Sequence, residues 1–160
     1  MNDKLDYPGK ELEIFDKAVF WRKYLFSKIK KFLGKEILEV GAGMGSFTKT
    51  YLNRNMNVTL SELDSNLLNI LKKSFDHNDN VSIIEKYTKN IEKKFETILY
   101  ISVLEHIKDD KDEIDTALSK LKQGGYLIIC VPAHNYMYSK FDKEIGHYRR
   151  YSISFFKDLR

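Results

Sequence analysis

Apolar positions along this chain recur with two different periods, and the switches between them mark out its elements. From 11 to 33 they fall at three- and four-residue steps through Ile14, Phe15, Ala18, Val19, Trp21, Leu25, Phe26, Ile29, Phe32 and Leu33, with lysines between them. That spacing predicts an amphipathic helix, and Gly34 supplies its stop. Shorter apolar runs follow, separated by helical stretches. Residues 36–40 read as a strand that enters Gly41-Ala-Gly-Met-Gly45, and a helix capped by Ser46 is expected to about Arg54. Residues 58–62 read as a second strand, and 64–75 as a helix carrying Leu67, Leu68, Ile70 and Leu71. Residues 81–84 and 95–101 are the third and fourth strands. A helix over 109–121 presents Ile114, Ala117, Leu118 and Leu121, and Gln123-Gly-Gly125 turns the chain into a fifth strand, 126–131, ended by Pro132.

This alternation predicts an α/β fold, a doubly wound parallel sheet with helices on both faces. The stretch 133–160 is long for a connection, and such segments are commonly functional. With 160 residues, 42% of them hydrophobic, the chain can pack one domain but has little room for a separate substrate lobe. Twenty-seven basic against 23 acidic residues leave +4, too slight a bias to signal a nucleic-acid partner. The single cysteine, Cys130, excludes an internal disulfide and sits in an apolar strand as a buried, inert thiol. The polar N-terminus and the lack of a long apolar run argue against a signal peptide or membrane insertion, so a soluble cytoplasmic domain is expected.

Chemistry concentrates around the glycines. Gly41, Gly43 and Gly45 lie between a strand and a helix, where backbone N–H groups can approach a ligand. The dinucleotide pattern G-x-G-x-x-G needs a glycine at 46, and this chain has Ser46. Glu62 ends the second strand roughly 20 residues beyond Gly41, the place from which a carboxylate accepts ribose hydroxyls. Glu39, beside a loop with no phosphate-binding lysine, suits a cationic ligand.

Taken together, Glu39-Val-Gly-Ala-Gly-Met-Gly45, Glu62, Phe95-Glu-Thr-Ile, Val103-Leu-Glu-His-Ile107 and Leu121-Lys-Gln-Gly-Gly-Tyr126 resemble the motifs of class I S-adenosylmethionine-dependent methyltransferases, in order, over residues 12–160. The tail, Val131-Pro-Ala and Asp142-Lys-Glu-Ile-Gly-His-Tyr-Arg-Arg-Tyr151, is similar to a bacterial subgroup often found with cell-surface glycan or lipid machinery. The resemblance implies a Rossmann-like sheet ordered 3-2-1-4-5, followed in the family by a 7-6 hairpin for which this chain shows no strands. It thus implies a single, incomplete domain over 1–160, with a lid helix at 11–33, whose Trp21 and Tyr24 either lid the cofactor as an aromatic does in relatives or simply pack, and a substrate-side tail at 132–160. The fifth strand is then expected as an exposed apolar edge, open to self-association.

S-adenosylmethionine is the implied cofactor, with S-adenosylhomocysteine as product. The implied binding residues are Glu39, Gly41, Ala42, Gly43, Gly45, Glu62, Leu63, Tyr87, Tyr100 and Ile101. After the third strand stands Glu85-Lys-Tyr87, so the adenine is taken either by Glu85 from a shifted position or by stacking on Tyr87. The implied reaction is methyl transfer to an oxygen or nitrogen of a small molecule or a glycan or lipid precursor. His106 and His147 are alternative bases, with Asp142 able to orient His147. Tyr148, Arg149 and Arg150 close over the substrate or form a solvated basic loop. Ser102-Val-Leu-Glu-His106 lacks the first carboxylate of the E-x-x-E-H pattern in metal-binding relatives such as the ubiquinone-pathway O-methyltransferases, so no metal site is expected. Two other readings stand beside this one: a methyltransferase-like module that binds cofactor or a partner without turnover, and a nicotinamide-dependent oxidoreductase.

Overall fold

The computed structural model describes residues 16–159. The first part of the expected N-terminal helix, including Ile14 and Phe15, and the final Arg160 lie outside the described residues. Five strands, β1 (Glu36–Val40), β2 (Asn57–Ser61), β3 (Val81–Ile84), β4 (Phe95–Ile101) and β5 (Leu121–Cys130), form one sheet ordered β3-β2-β1-β4-β5. Every pairing is parallel, and Glu39 at the middle of the sheet lies opposite Leu60 on one side and Leu99 on the other. The chain leaves β1 toward β2 and later returns to β4 on β1's other flank. The loops after β1 and β4 therefore diverge and open a crevice at the strands' carboxyl ends.

Both faces of the sheet are covered, which is why its strands are nearly continuous in apolar residues. Ile37 of β1 packs with Phe47, Tyr51, Leu60, Leu71, Phe75 and Leu99 on one face. Its neighbours Leu38 and Val40 pack with Phe95, Ile98, Tyr100 and Ala117 on the other. Each such fully buried aliphatic side chain stabilises the fold by about 1.5–3 kcal/mol. The flanking helices are α1 (Val19–Ile29), α2 (Thr48–Tyr51), α3 (Ser65–Ser74) and α4 (Asp110–Ser119), and the tail adds α5 (Lys140–Glu144) and α6 (Ile153–Lys157). α3 starts where Asp64 accepts hydrogen bonds from the Asn66 and Leu67 N–H groups at 2.8 and 2.9 Å.

Four expectations change. α1 begins at Val19 after a break at Ala18, and its last turn tightens to 3₁₀ over Lys30–Phe32. Of the apolar series in α1, Ile29 is buried and Leu25 and Phe26 pack with it against the core, whereas Val19 and Trp21 stay exposed, so the spacing marks a core face only in the helix's second half. The helix after the glycines shrinks to α2, since the Ser46 hydroxyl donates to Asp16 and caps nothing. The fourth helix stops at Ser119, and β5 starts at Leu121. Gln123-Gly-Gly125 is absorbed inside β5 as a bulge, where Phe95 pairs with Leu121 but Thr97 with Tyr126.

β5 is one of the sheet's two edge strands, with Tyr126 half exposed. The tail folds back over its far end, where Ala133 bridges Tyr151 in parallel. Among the described residues, no helix is long and apolar enough to cross a membrane.

Candidate functional site

The crevice is a cleft of about 670 Å³, bounded by the glycine loop, the end of β4, the start of α1 and the tail. Its three loop glycines all have positive φ: 62° at Gly41, 57° at Gly43 and 74° at Gly45. They meet different surroundings. A Cβ on Gly41 would lie 2.7 Å from Val103 and one on Gly45 2.5 Å from the Phe75 ring, so both positions are closed by packing. A Cβ on Gly43 would meet nothing within 4 Å. Its backbone thus borders open space in the cleft, the cradle that a ligand approaching the main chain requires.

Two carboxylates hold this loop. Glu62 accepts the Gly43 N–H at 2.8 Å through Oε2, and the Leu63 and Asp64 N–H groups at 2.7 and 3.0 Å through Oε1. A carboxylate has about four acceptor positions, so Glu62 keeps one of them for a ligand hydroxyl unless it releases the loop. Glu39 is buried, and its Oε2 accepts from the Thr48 and Tyr51 hydroxyls, both at 2.7 Å. Burial lifts its pKa to about 7, against the pull of the Tyr51 and Thr48 hydrogen bonds.

The opposite wall comes from the end of β4 and from the tail. Ser102 turns the chain out of β4 with a φ of 57°, and the 3₁₀ turn Leu104–His106 follows. Glu105 is wholly buried, and neither of its carboxylate oxygens has a hydrogen-bond partner. Burial, with a smaller contribution from the Asp142 charge, lifts its pKa to about 7. The Tyr148 N–H donates to the Glu105 carbonyl at 2.8 Å and pins the tail against this turn. His147 then stands with Nδ1 3.0 Å from Asp142 Oδ1 and Nε2 3.9 Å from Glu105 Oε1. Its ring meets His106 edge to face at 4.6 Å.

Asp142 is held on several sides. Arg150 donates to it through Nε and Nη2 at 2.8 and 2.9 Å, and the Ser139 N–H and hydroxyl donate at 2.9 and 2.8 Å. The Arg150 bond, followed by those from Ser139 and His147, outweighs burial and holds its pKa well below the usual carboxylate range.

The expected site residues divide accordingly. Glu39, Gly41, Ala42, Gly43, Ile101, His106, Asp142, His147 and Arg150 line the cleft. Gly45 and Leu63 lie behind its wall, and Glu62 reaches it only through the Gly43 N–H. Tyr100 points to the other face of the sheet, where its hydroxyl donates to Glu113, so its side chain lies away from the cleft. Tyr87 is half exposed under Lys89 and does not border the cleft. Trp21 lines the cleft, but Tyr24 does not. Arg149 is bound to Asp110 and the Lys108 carbonyl, and Tyr148 lies exposed beneath it, so neither borders the cleft. Cys130 is partly buried and lines the cleft, with its thiol pKa raised by burial. Sequence reasoning missed Phe141 and Ile145, which line the cleft from the tail. It also set Glu105 aside for want of ligand partners, since nothing in the sequence shows that His147 returns to it.

A family model described as a methyltransferase domain matches residues 15–158. A demethylmenaquinone methyltransferase of Tropheryma whipplei is 24% identical over 139 residues, covering 86% of this chain and 53% of the relative. The chain spans about half the length of the curated relatives it matches. Among solved structures, the YcgJ protein of Bacillus subtilis superposes with a TM-score of 0.71 at 15% identity, over 88% of this chain and 66% of that one. The glycopeptide N-methyltransferase MtfA in complex with S-adenosylmethionine superposes with a TM-score of 0.62 at 17% identity, over 74% of this chain and 53% of that one. At such identities the likeness is one of fold.

Proposed function

The chain belongs to the methyltransferase-domain family, and on that premise we propose that it binds S-adenosylmethionine at the carboxyl ends of β1 and β4 and methylates an oxygen or nitrogen nucleophile. The observation that carries this reading is the open space over Gly43, between a buried Glu39 and a Glu62 that reaches the same loop. When bound, S-adenosylmethionine supplies a methyl group activated on a sulfonium and leaves as S-adenosylhomocysteine. Glu62 accepts a ribose hydroxyl at its one remaining acceptor position, and Gly43 lets the backbone come close. Glu39 supplies negative charge beside a ligand that carries an ammonium and a sulfonium. Trp21 and the glycine loop wall this end of the cleft from water.

The acceptor enters between Phe141, Ile145 and the histidine pair. Direct displacement needs the nucleophile aligned and its proton removed or made more acidic, and His106 and His147 stand where that happens. A cleft of this size, lined by both apolar and charged side chains, fits a small molecule or a glycan or lipid precursor. The relatives' names, demethylmenaquinone and glycopeptide, point to different acceptors, so the choice rests on this chain's own residues.

Calorimetric titration with S-adenosylmethionine, S-adenosylhomocysteine and NADH tests the cofactor, and the first two are expected to bind while NADH does not. No binding of either at about 1 mM overturns the reading. Transfer of labelled methyl to a panel of hydroxyl and amine acceptors tests turnover. Cofactor binding with no transfer to any of them would favour a non-catalytic module.

A further inference from the structure

We propose that Glu105, His106 and His147 form a binding site for one divalent transition-metal ion, open to the cleft in its remaining coordination position. Each residue offers one ligand atom, and the three atoms lie within 4.8 Å of one another. Two of these residues are neighbours at the end of β4, and the third arrives from the tail across 40 residues of intervening chain. Two ligands on a tetrahedral zinc ion, each about 2.1 Å from the metal, sit about 3.4 Å apart. The observed 3.9 Å between His147 Nε2 and Glu105 Oε1 closes to that by a small side-chain rotation, and it is too long for a direct hydrogen bond.

Three further features fit an ion. Glu105 is 0% exposed with both carboxylate oxygens unpartnered, an arrangement that is strongly unfavourable for an anion unless a cation or proton completes it. Asp142, ionised against Arg150, has no proton to give, so His147 donates to it through Nδ1, and Nε2 is the ring nitrogen that faces Glu105. A carboxylate behind a histidine in this way fixes the tautomer and orientation of a metal ligand. The charges of Arg150, Asp142 and Glu105 sum to one negative charge around two histidines, which a divalent cation offsets.

Two imidazoles and one carboxylate suit zinc, iron or cobalt rather than calcium or magnesium. The ion would face the acceptor side of the cleft, which Ser102, Phe141 and Ile145 also line. There it binds an oxygen donor of water or of the acceptor and lowers that donor's pKa, with His147 serving as ligand in place of base.

The site is tested on the chelator-treated full chain, without any methyl donor, by titration with cobalt(II) and zinc. One equivalent of cobalt is expected to give the visible absorption of a low-coordinate site, and zinc is expected to displace it. Glu105→Gln and His147→Ala should each weaken binding at least tenfold, and His77→Asn, outside the cluster, should leave it unchanged. Zinc should also raise the melting temperature of the wild type and not that of Glu105→Gln, a comparison that still reads out if His147→Ala folds poorly. Absence of stoichiometric binding, or binding that survives Glu105→Gln, overturns the proposal. Calorimetry with S-adenosylmethionine in chelator separates this outcome from failure of the methyltransferase reading, because neither measurement uses the other ligand.

Discussion

Glu39 ends the apolar run of β1 with an acid that the fold buries and then satisfies with two hydroxyls. Its pKa rises from 4.5 to about 7, so between those values the folded chain holds a proton that the unfolded chain has released. The contribution to stability is full below the lower value and is lost as pH rises through the upper one, a change on the order of 3 kcal/mol. Glu105, raised in the same window, adds a second slope of the same sign. In Glu39→Gln the amide oxygen still accepts from Thr48 and Tyr51 but cannot ionise. Urea unfolding at about pH 5 and about pH 8 should therefore show a smaller loss of stability in the variant than in the wild type. Gly43 makes a different test of the same loop. Gly43→Val forces a branched residue into left-handed backbone, at a cost of about 2 kcal/mol in stability, and fills the cradle with side chain. The variant should still fold, by circular dichroism, and should fail to bind S-adenosylmethionine in calorimetry.

At the scale of elements, the strands were the legible part. The limits of β3 and β4 coincide with those expected, because both are short apolar runs bounded by turn chemistry or charge. Asp64, read from the sequence as the first residue of its helix, is in the structure that helix's cap. Asp64→Ala should lower the unfolding free energy by about 1 kcal/mol while leaving the sheet's signals intact, measured by urea denaturation followed with circular dichroism. The failures have physical causes. α1 has the period of a packed helix and does pack through Leu25, Phe26 and Ile29, but period alone does not say that another element will arrive to cover Val19 and Trp21. Ser46 has cap chemistry, yet its hydroxyl is taken by Asp16, thirty residues earlier in the chain. Gly124 adopts a φ of 76° inside β5, so a dipeptide that reads as a turn became a bulge. The glycine loop and its contact with Glu62 were legible because both lie close in sequence to strand ends. The Glu105–His147 pairing was not, since it depends on how an aperiodic tail folds back.

That tail is what joins the two halves of the molecule, and one side chain does much of the fastening. Tyr151 is buried between Phe155 and Phe156, and its hydroxyl donates to the Leu104 carbonyl at 3.1 Å and to Asp110 at 2.9 Å. Its backbone pairs with Pro132 and His134, closing the loop that carries Asp142 and His147 back to the end of β4. Removing the hydroxyl in Tyr151→Phe strands little, because Leu104 O still accepts from the Ile107 N–H and Asp110 keeps Arg149. The global loss should therefore be only about 1 kcal/mol. Its distribution should be uneven. The glycine loop, Glu39 and Glu62 are built from β1, β2 and the turns that follow them, with no contribution from the tail. Affinity for S-adenosylmethionine should thus stay within about twofold of the wild type. Amide exchange over residues 133–151 should accelerate, and methyl transfer should fall as His147 loses its fixed position. Equal losses in cofactor affinity and transfer would mean that the tail supports the whole cleft, and the division into two halves would then be wrong.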